Sequence, residues 1–495
     1  MGDKFQVGIT IMLIGFSLVG LAMYFLVRGS GKRYIVAGKS LPFFLVGTTM
    51  LAQALDANAT MGNTGMTYLT GFWTGFQFPL GLALCLVVTG TFFAKPLNKL
   101  NLITLPDFYF RRYGRLVEVL VGLLMSFSFI ILVAGNLAGG AWILSVVFGW
   151  DYLTALIILS IILFAYTTSG GLFSVVAADI VQIYPVLFGF FAAVLWLFYT
   201  YGWGHFVNAI PTGHFDLSGL TSVKHGALTN WAGILALGLG DVVALDFMER
   251  IFAARSPQTA RNACYYGAGL TLLVGLAASF MGLMALTLLP GITDSRMVLP
   301  TLATSHLPFF LGLLVMGGIV GAGLSTANGG FLGVASVFGR NIMQRNVLQI
   351  YKKKYTPDDK KVLDQRLLVA TRIMGIPVIA AAVYVAIVRP EPGILLVLAF
   401  DVVFAGCFVP LTLGLFWKKA NTLGALAAVV IGSVLRLYLY INIPEHLAGL
   451  DTLIPPVVSL LVMVPVSLMT QKQDPPRHSA AHEVPSEEDV LSTAC

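Results

Sequence analysis

Five aspartates lie inside long apolar segments of this chain, and their surroundings decide what chemistry they could do. They are Asp56, Asp179, Asp241, Asp246 and Asp401. An ionised carboxylate in an apolar environment is costly unless a cation or a hydrogen-bond donor accompanies it. We therefore expect each aspartate either to bind a cation or to accept a structural hydrogen bond from a helix end or a neighbouring threonine.

The segment around Asp56 combines polar side chains with residues that weaken a helix. Its polar residues and glycines are Asp56, Asn58, Thr60, Gly62, Asn63, Thr64 and Gly65. A helix that unwinds at membrane depth frees backbone carbonyl groups, which are good ligands for Na⁺. The sequence thus predicts a broken helix with cation-binding capacity around Asp56.

A second acidic segment lies near the middle of the chain. Gly238 and Gly240 precede Asp241, and Asp246 follows deeper along the same apolar stretch. Interrupted helices at corresponding positions of two halves are typical of a transporter's binding site. If Asp56 and Asp241 face one cavity, their carboxylates repel each other unless a cation lies between them. That cation could be Na⁺, a proton or an ammonium group of the solute.

Two neighbouring hydroxyl groups, on Ser325 and Thr326, lie in a glycine-rich apolar segment, 321–330. Oxygen ligands of this kind suit a hard cation. The alternative is that the small residues serve close packing between helices. Both interpretations stay open at the level of sequence.

These segments belong to a chain that is too apolar for a soluble globular protein. Of its 495 residues, 57% are hydrophobic and 11% are charged, whereas soluble domains average about 25% charged residues. Runs of about 20 apolar residues can cross a bilayer. Such runs predict an all-α polytopic membrane protein with about thirteen transmembrane helices. The approximate spans are 7–27, 42–68, 72–94, 116–147, 152–168, 174–200, 229–251, 264–289, 308–337, 367–388, 393–416, 423–441 and 453–470.

The distribution of Lys and Arg predicts the orientation. If the N-terminus lies outside, 25 of the 30 basic residues fall on the cytoplasmic side, as the positive-inside rule requires. We therefore expect an external N-terminus and a cytoplasmic C-terminus, in a plasma membrane (the inner membrane if the cell is bacterial). Topology explains the net charge of +7, so no nucleic-acid partner is expected. The polar tail, 471–495, is predicted to be disordered.

The chain shows no pattern typical of an enzyme. It has no nucleophile triad, metal motif or phosphate-binding loop, and its four cysteines show no metal-ligand spacing. Stretch 7–27 is followed by basic residues without a small-residue cleavage site, so we interpret it as a span rather than a signal peptide. The tail carries no signalling domain, which argues against a solute sensor.

Four segments together resemble the sodium:solute symporter family, which includes the sodium/glucose, sodium/proline and sodium/sialic acid transporters. They are Tyr34–Pro42, Tyr166–Gln182, Glu249–Ser256 and Gly414–Ala425, and they occur in the family's order. The second is similar to the family's Tyr-Thr-x-x-Gly-Gly-Leu…Asp…Gln signature, and the third to its Gln-Arg-x-x-Ala-Ala-Lys-Ser. The resemblance runs from about residue 30 to residue 440.

The resemblance implies a five-plus-five inverted-repeat core in which the first and sixth core helices are broken. One helix precedes the core and two follow it. The domain boundaries we expect are 1–40 for the extra helix and its cytoplasmic linker, 41–200 and 229–416 for the two repeats, 417–470 for the last two helices, and 471–495 for the tail.

The resemblance also implies ion sites. The main sodium site uses carbonyl groups of the broken first core helix and groups on the eighth. The matching residues are Ala54 and Ala57 on the first, and Ala322, Ser325 and Thr326 on the eighth. Asp179 matches an aspartate that some members use in a second sodium site. Asn328 and Gly329 stand where that site's further hydroxyl groups occur in the family, so the number of sodium ions stays open.

The acidic residues set this chain apart within the resemblance. Asp56 resembles the acidic residue of proline-type members, whereas Asp241, Asp246 and Asp401 fall where many members are neutral, and Glu249 replaces a common glutamine. We infer a small polar solute with a positively charged amine, because a plain sugar would leave the carboxylates without a partner. The solute-binding candidates are Asp56, Asn58, Asn63, Trp73, Gln77 and Asp241.

The activity expected from these features is Na⁺-coupled symport by alternating access. Na⁺ is the only cofactor expected, and a monomer should suffice for function, with oligomers left open. The alternative is a proton-coupled transporter on the same fold, with the extra aspartates as proton carriers. A strict requirement for Na⁺ would separate the two.

Overall fold

The computed structural model describes residues 2–27, 29–214, 217–347 and 357–477, and these residues are mainly helical. The described residues form no strand, and their one isolated β-bridge joins Leu41 to Ala254. Residues 478–495 of the predicted disordered tail lie outside the described residues. The disorder predicted for the tail therefore stays a prediction.

The first half of the chain, to residue 209, forms twelve α-helices. They are α1 (Gly2–Ala22), α2 (Tyr24–Val27), α3 (Gly31–Val36), α4 (Phe43–Ala54), α5 (Ala57–Thr70), α6 (Phe72–Val88), α7 (Ala94–Lys99), α8 (Pro106–Tyr113), α9 (Arg115–Phe148), α10 (Tyr152–Gly170), α11 (Leu172–Tyr201) and α12 (Trp203–Ala209). A π-helical segment, Thr89–Phe93, joins α6 to α7 without ending the span.

The described part of the second half, from residue 217, forms eleven more. They are α13 (Ser218–Thr221), α14 (Ala227–Leu239), α15 (Leu245–Ala253), α16 (Pro257–Leu288), α17 (Ser295–Ser305), α18 (Phe309–Ser336), α19 (Pro357–Val388), α20 (Pro392–Gly406), α21 (Phe408–Phe416), α22 (Thr422–Asn442) and α23 (Leu450–Met469). The π-helical segment Val337–Val347 extends α18.

The predicted count of thirteen spans is not confirmed. Within the described ranges, ten helices are long and apolar enough to cross a bilayer, and two bent pairs, α14 with α15 and α20 with α21, raise the number to twelve. The remaining predicted span corresponds to α4 and α5. It fails the same test because α4 has only 12 residues and α5 is polar.

The break between α4 and α5 has a local cause in the sequence. Leu55 leaves the helical region (φ −112°, ψ 54°), and Asp56 is extended (φ −83°, ψ 179°). The Asp56 carboxylate then accepts a hydrogen bond of 2.7 Å from the Ala59 N–H, which caps α5. An aspartate at this position satisfies an orphan donor of the next helix, so the chain restarts a helix instead of continuing the first one.

The second break lies between α14 and α15, as predicted. A 3₁₀ turn, Gly240–Val243, follows α14, Ala244 is extended, and α15 leaves at 45° to α14. The broken first and sixth core helices are therefore both present. A third bend, of 46°, separates α20 from α21 at Cys407, and the sequence reading did not anticipate it.

Candidate ion and solute site

The end of α4 presents unpaired backbone oxygens to α18. A helix leaves its last four carbonyl groups without intrahelical partners, and here the chain breaks immediately afterwards. Thr326 on α18 places its Oγ1 3.3 Å from the Ala52 carbonyl oxygen and 3.4 Å from that of Gln53. Hydroxyl and carbonyl oxygens thus converge between the broken helix and α18.

The carbonyl groups that Thr326 contacts are not those of the predicted sodium ligands. Thr326 contacts the carbonyls of Ala52 and Gln53 rather than those of Ala54 and Ala57. Ala57 begins α5, where its N–H donates to Asn136 Oδ1 at 3.1 Å. The assignment of Ala54 and Ala57 as sodium ligands stays a prediction.

Ser325, the neighbour of Thr326, faces a different group. Its hydroxyl donates to the Asp179 carboxylate. Arg250, which is fully buried, donates to the same carboxylate at 2.9 Å. The side chain of Gln53 lies between these residues: its amide contacts Asp179 at 3.3 Å, or, with the amide turned, Asp246 at 3.1 Å and Arg250 at 2.8 Å. Through these contacts the Asp179 carboxylate links α4, α11, α15 and α18.

This ion pair bears on the predicted second sodium site. The guanidinium of Arg250 supplies at Asp179 the positive charge that a second Na⁺ would supply. Asn328 is buried on α18, and neither atom of its amide finds a hydrogen-bond partner among the described residues. In this arrangement Asp179 is engaged by the chain itself, and its use by Na⁺ stays a prediction. Sequence reasoning missed Arg250 as a partner, although it lies within the family-like segment.

Asp56 is surrounded by donors of the chain. Besides the Ala59 N–H, it accepts hydrogen bonds from Asn136 Nδ2 at 2.6 Å and from Asn58 Nδ2 at 3.3 Å. Gly135 on α9 permits this approach, because a Cβ there would lie 2.3 Å from the Asn58 Oδ1. These contacts are structural hydrogen bonds, which we gave as the alternative to cation binding for each buried aspartate. The part of Asp56 in solute binding stays a prediction.

Asp241, unlike Asp56, has a carboxylate oxygen without a hydrogen-bond donor among the described residues. This oxygen is Oδ1, and the residue is buried in the 3₁₀ turn with 1% of its surface exposed. Asp56 and Asp246 lie within electrostatic reach of its carboxylate. The turn packs directly on α20, since a Cβ at Gly240 would lie 2.7 Å from the Phe400 carbonyl oxygen.

Acidic groups outnumber basic ones at the two breaks. The buried carboxyl groups are those of Asp56, Asp179, Asp241, Asp246 and Glu249, and the buried guanidinium beside them is that of Arg250. Neither oxygen of Glu249 has a partner among the described residues. A buried excess of carboxylates is stable only when cations or protons balance it. Some of these carboxyl groups must therefore be protonated or be balanced by cations.

The remaining predicted solute ligands do not lie at the breaks. Asn63 donates to the Gly275 carbonyl at 2.8 Å and accepts from Ser279 at 2.7 Å, which joins α5 to α16. Trp73 packs against Phe72 and Phe76 near the start of α6. Of the other predicted solute ligands, only Asn58 hydrogen-bonds directly to Asp56.

Gln77 and Asp401 lie together in another place. Both line a cavity of about 260 Å³ between α5, α6, α14 and α20 on one side and α22 and α23 on the other. Asp401 accepts a hydrogen bond of 2.8 Å from Arg436, whose other nitrogen lies 3.0 Å from Asp451. Asp401 thus pairs with an arginine on a neighbouring helix and lies apart from the Asp179–Arg250 pair.

The Asp179–Arg250 pair provides a prediction about stability. Removing one partner of a buried ion pair leaves an uncompensated charge, which costs about 3–5 kcal/mol. We expect Asp179→Asn and Arg250→Gln each to lower the thermal unfolding temperature of the purified protein sharply. The double variant should lose much less than the sum of the two, because it buries no lone charge. Additive losses in this thermal double-mutant cycle would show that the two groups do not interact.

Known proteins resemble this chain in sequence and in fold. Residues 34–432 match the family model described as the sodium:solute symporter family. The chain belongs to this family. The symporter is 26% identical to the high-affinity choline transporter 1 of Drosophila melanogaster over 422 residues, which cover 82% of this chain and 66% of that protein.

Other relatives transport different kinds of solute, by their names. The symporter is 25% identical to the sodium/glucose cotransporter of Vibrio parahaemolyticus, covering 90% of this chain and 86% of that one. It is also 25% identical to the sodium/pantothenate symporter of Haemophilus influenzae, covering 81% and 82%. The fold matches that of a Na⁺-coupled sialic acid symporter with a TM-score of 0.75 at 16% identity, over 94% of this chain and 98% of that one.

These findings confirm several of the predictions made from sequence. The symporter is a multi-pass membrane transporter with the inverted-repeat fold of Na⁺-coupled symporters, and its relatives are transporters rather than enzymes. The family implies sodium coupling and a small-molecule solute. The identity of the solute, the ion ligands and the domain boundaries are not fixed by the comparisons.

Proposed function

We propose that the symporter carries a small amine-bearing solute into the cell together with Na⁺, by alternating access. The observation that carries this proposal is the Asp241 carboxylate, buried at the second helix break with an oxygen that no described group satisfies. An ammonium group would both neutralise this carboxylate and donate to it. A neutral sugar would leave the charge unbalanced.

The proposed sodium site lies where α4 meets α18. Its ligands are the carbonyl oxygens at the end of α4, with Ala52 and Gln53 joining the predicted Ala54, and the hydroxyl of Thr326. Ala322 and Ser325 lie on the same buried stretch of α18 and complete the set by their position. Sodium bound there would order the broken helix and so shape the solute site beside Asp56 and Asp241.

The two sides of this centre carry contacts that alternating access must break in turn. On one side α5 meets α20, where a Cβ at Gly393 would lie 2.9 Å from the Gly62 Cα. On the other side the chain before α4 pairs with the chain after α15, through hydrogen bonds of 3.0 Å between Leu41 and both Ala253 and Arg255. Sodium and solute couple if both stabilise the same closed state.

The names of the relatives support the proposal without deciding it. Choline carries a permanent positive charge on nitrogen, which agrees with an acidic centre. Glucose is neutral and pantothenate is a carboxylate, so the family itself accommodates several kinds of solute. The excess of carboxyl groups at the breaks is what favours a cation in this chain.

The orientation, the membrane and the assembly belong to the same proposal. The count of basic residues supports an external N-terminus, a cytoplasmic C-terminus and a plasma membrane location. The ion and solute sites proposed here are built within a single chain, which supports a monomer as the working unit.

Thermal stabilisation of the purified symporter tests the proposal directly. A panel of amines, amino acids, sugars and carboxylates is added in Na⁺ or in K⁺, which avoids an organic cation as the control salt. We expect an amine-bearing compound to raise the unfolding temperature in Na⁺ but not in K⁺. If only a sugar or a carboxylate stabilised the protein, the proposal of an amine-bearing solute would be refuted. Equal stabilisation in both salts would refute the sodium coupling.

A proton-coupled transporter is the second candidate, and Glu249 is the observation that favours it. Its carboxyl group is buried on α15 with both oxygens unpartnered among the described residues, so it must hold a proton or a cation. Solute uptake driven by a pH gradient in the absence of Na⁺ would support this candidate. Loss of that uptake in Glu249→Gln, with folding unchanged, would assign the proton to this residue.

A further inference from the structure

The cavity that contains Gln77 and Asp401 lies apart from Asp241 and from the proposed sodium ligands, although Gln77 is also one of the solute-binding candidates. We infer that it is a second binding site, for a small alkylated ammonium ion. Its volume of about 260 Å³ is well above the roughly 30 Å³ that one water molecule takes in the liquid. The inference does not depend on the proposed function, because none of the groups that line the cavity belongs to the proposed sodium ligands or to the acidic groups at the helix breaks.

The floor of the cavity carries an excess of negative charge. Among the described residues that line it, Asp401 and Asp451 contribute two carboxyl groups and Arg436 contributes one guanidinium. The guanidinium pairs with both carboxyl groups, at 2.8 and 3.0 Å. One negative charge is therefore left over when all three are ionised, and a cation in the cavity would balance it.

Buried polar atoms at the cavity also lack partners. The Oε1 of Gln77, the Oδ1 of Asp401 and the Nε of Arg436 have no hydrogen-bond partner among the described residues. Their side chains are at least nine-tenths buried, with exposed fractions of 5%, 3% and 4%. Unsatisfied buried acceptors are costly, and two of these three atoms are acceptors beside the surplus negative charge. A cation in the cavity would balance the surplus charge and would interact favourably with both acceptors through its electrostatic field.

The walls decide which kind of cation fits. Most of the lining side chains are apolar or aromatic, and two rings, those of Phe78 and Tyr440, border the space. A bare metal ion prefers several oxygen ligands, and here Arg436 already pairs with both carboxyl groups. Apolar walls with aromatic rings around a negative floor are the setting in which proteins bind alkylated ammonium groups.

The position of the cavity separates it from the helix breaks. It lies between the α5–α20 contact, where Gly62 meets Gly393, and the helices α22 and α23 that flank the core. The segment before α23 covers one end of it, since Thr229 donates to the Ala448 carbonyl at 3.3 Å. An ion bound here would contact α20, the helix that bends at Cys407, rather than the broken helices' acidic centre.

The test uses binding of radiolabelled tetramethylammonium to the purified full-length symporter. Val397→Phe fills the cavity from α20 without changing any charged group, and Val434→Phe is the matched control because Val434 is 60% exposed on α22. Asp241→Asn removes the acidic group of the proposed solute site. We expect a binding component that survives Asp241→Asn and that Val397→Phe weakens at least about tenfold, with Val434→Phe unchanged.

The outcomes separate this inference from the proposed function. Binding that Asp241→Asn abolishes completely, or that Val397→Phe leaves as in the wild type, overturns the second site. Binding that Val397→Phe removes and Asp241→Asn leaves untouched supports the second site and counts against the amine at Asp241. If Val397→Phe does not yield monodisperse protein, Ala232→Leu fills the same cavity from α14 and is judged by the same criteria.

Discussion

Replacing Asp241 by asparagine is expected to weaken binding of an amine-bearing solute by about 100-fold, while Na⁺ still stabilises the protein. Losing one partner of a buried charge pair costs about 2–5 kcal/mol, and each 1.4 kcal/mol is a factor of ten in affinity. Asparagine keeps the size of the side chain, so the change removes charge rather than volume. The measurement is the concentration of solute that gives half-maximal uptake into proteoliposomes at saturating Na⁺.

Asp241 gives a cleaner test than Asp56. The Asp56 carboxylate caps α5 and accepts hydrogen bonds from two asparagines. In Asp56→Asn, the new NH₂ group would face the NH₂ groups of these asparagines, and the loss of hydrogen bonds would disturb the fold. Glu445→Gln is the matched control for Asp241→Asn, because it also neutralises one acid but lies exposed between α22 and α23. Equal solute affinity in Asp241→Asn and the wild type would show that this carboxylate does not contact the solute.

Replacing Thr326 by valine is expected to raise the Na⁺ concentration for half-maximal uptake by about tenfold or more. A hydrogen-bonding or ligand contact to a charged species is worth about 1.5–3 kcal/mol, and valine removes the hydroxyl with little change in volume. The carbonyl oxygens of Ala52 and Gln53 remain, so binding should weaken rather than vanish. Uptake at a fixed solute concentration over a range of Na⁺ measures the effect.

The control for this prediction is Thr271→Val on α16. Thr271 is also buried, but its hydroxyl donates to the Gly267 carbonyl of its own helix at 2.8 Å and faces no helix break. Both variants lose one buried hydroxyl, so only a specific role in ion binding separates them. The same Na⁺ dependence in the two variants would remove Thr326 from the sodium site.

Much of the architecture was predictable because its causes are local. Runs of apolar residues predict spans, and an aspartate able to cap a helix, or two glycines before an acid, predict a break where they stand. The breaks at Asp56 and Asp241 were therefore predicted at the right places. The count of thirteen spans was not confirmed, because a broken span divides its apolar length between two short helices.

The partners of the polar side chains were not predictable, because they come from distant parts of the chain. Arg250 reaches Asp179 across 71 positions, and Asn136 reaches Asp56 across 80. Asp401 was an acid of unknown role until α22 placed Arg436 beside it. No spacing rule connects such residues, since their proximity depends on how whole helices pack.

The sequence by itself determined that this chain is embedded in a membrane and has two interrupted helices, because hydropathy, charge bias and helix-weakening residues act over a few residues. The expectation of sodium coupling came from the resemblance to the sodium:solute symporter family. Tertiary structure alone decided which acids are satisfied and which are free. It gave Asp56 hydrogen bonds from within the chain, paired Asp179 with Arg250, and left Asp241 with an unpartnered oxygen. The reason is physical: whether a buried carboxylate is paired depends on the donors that packing brings within hydrogen-bond distance, and packing is a property of the whole fold.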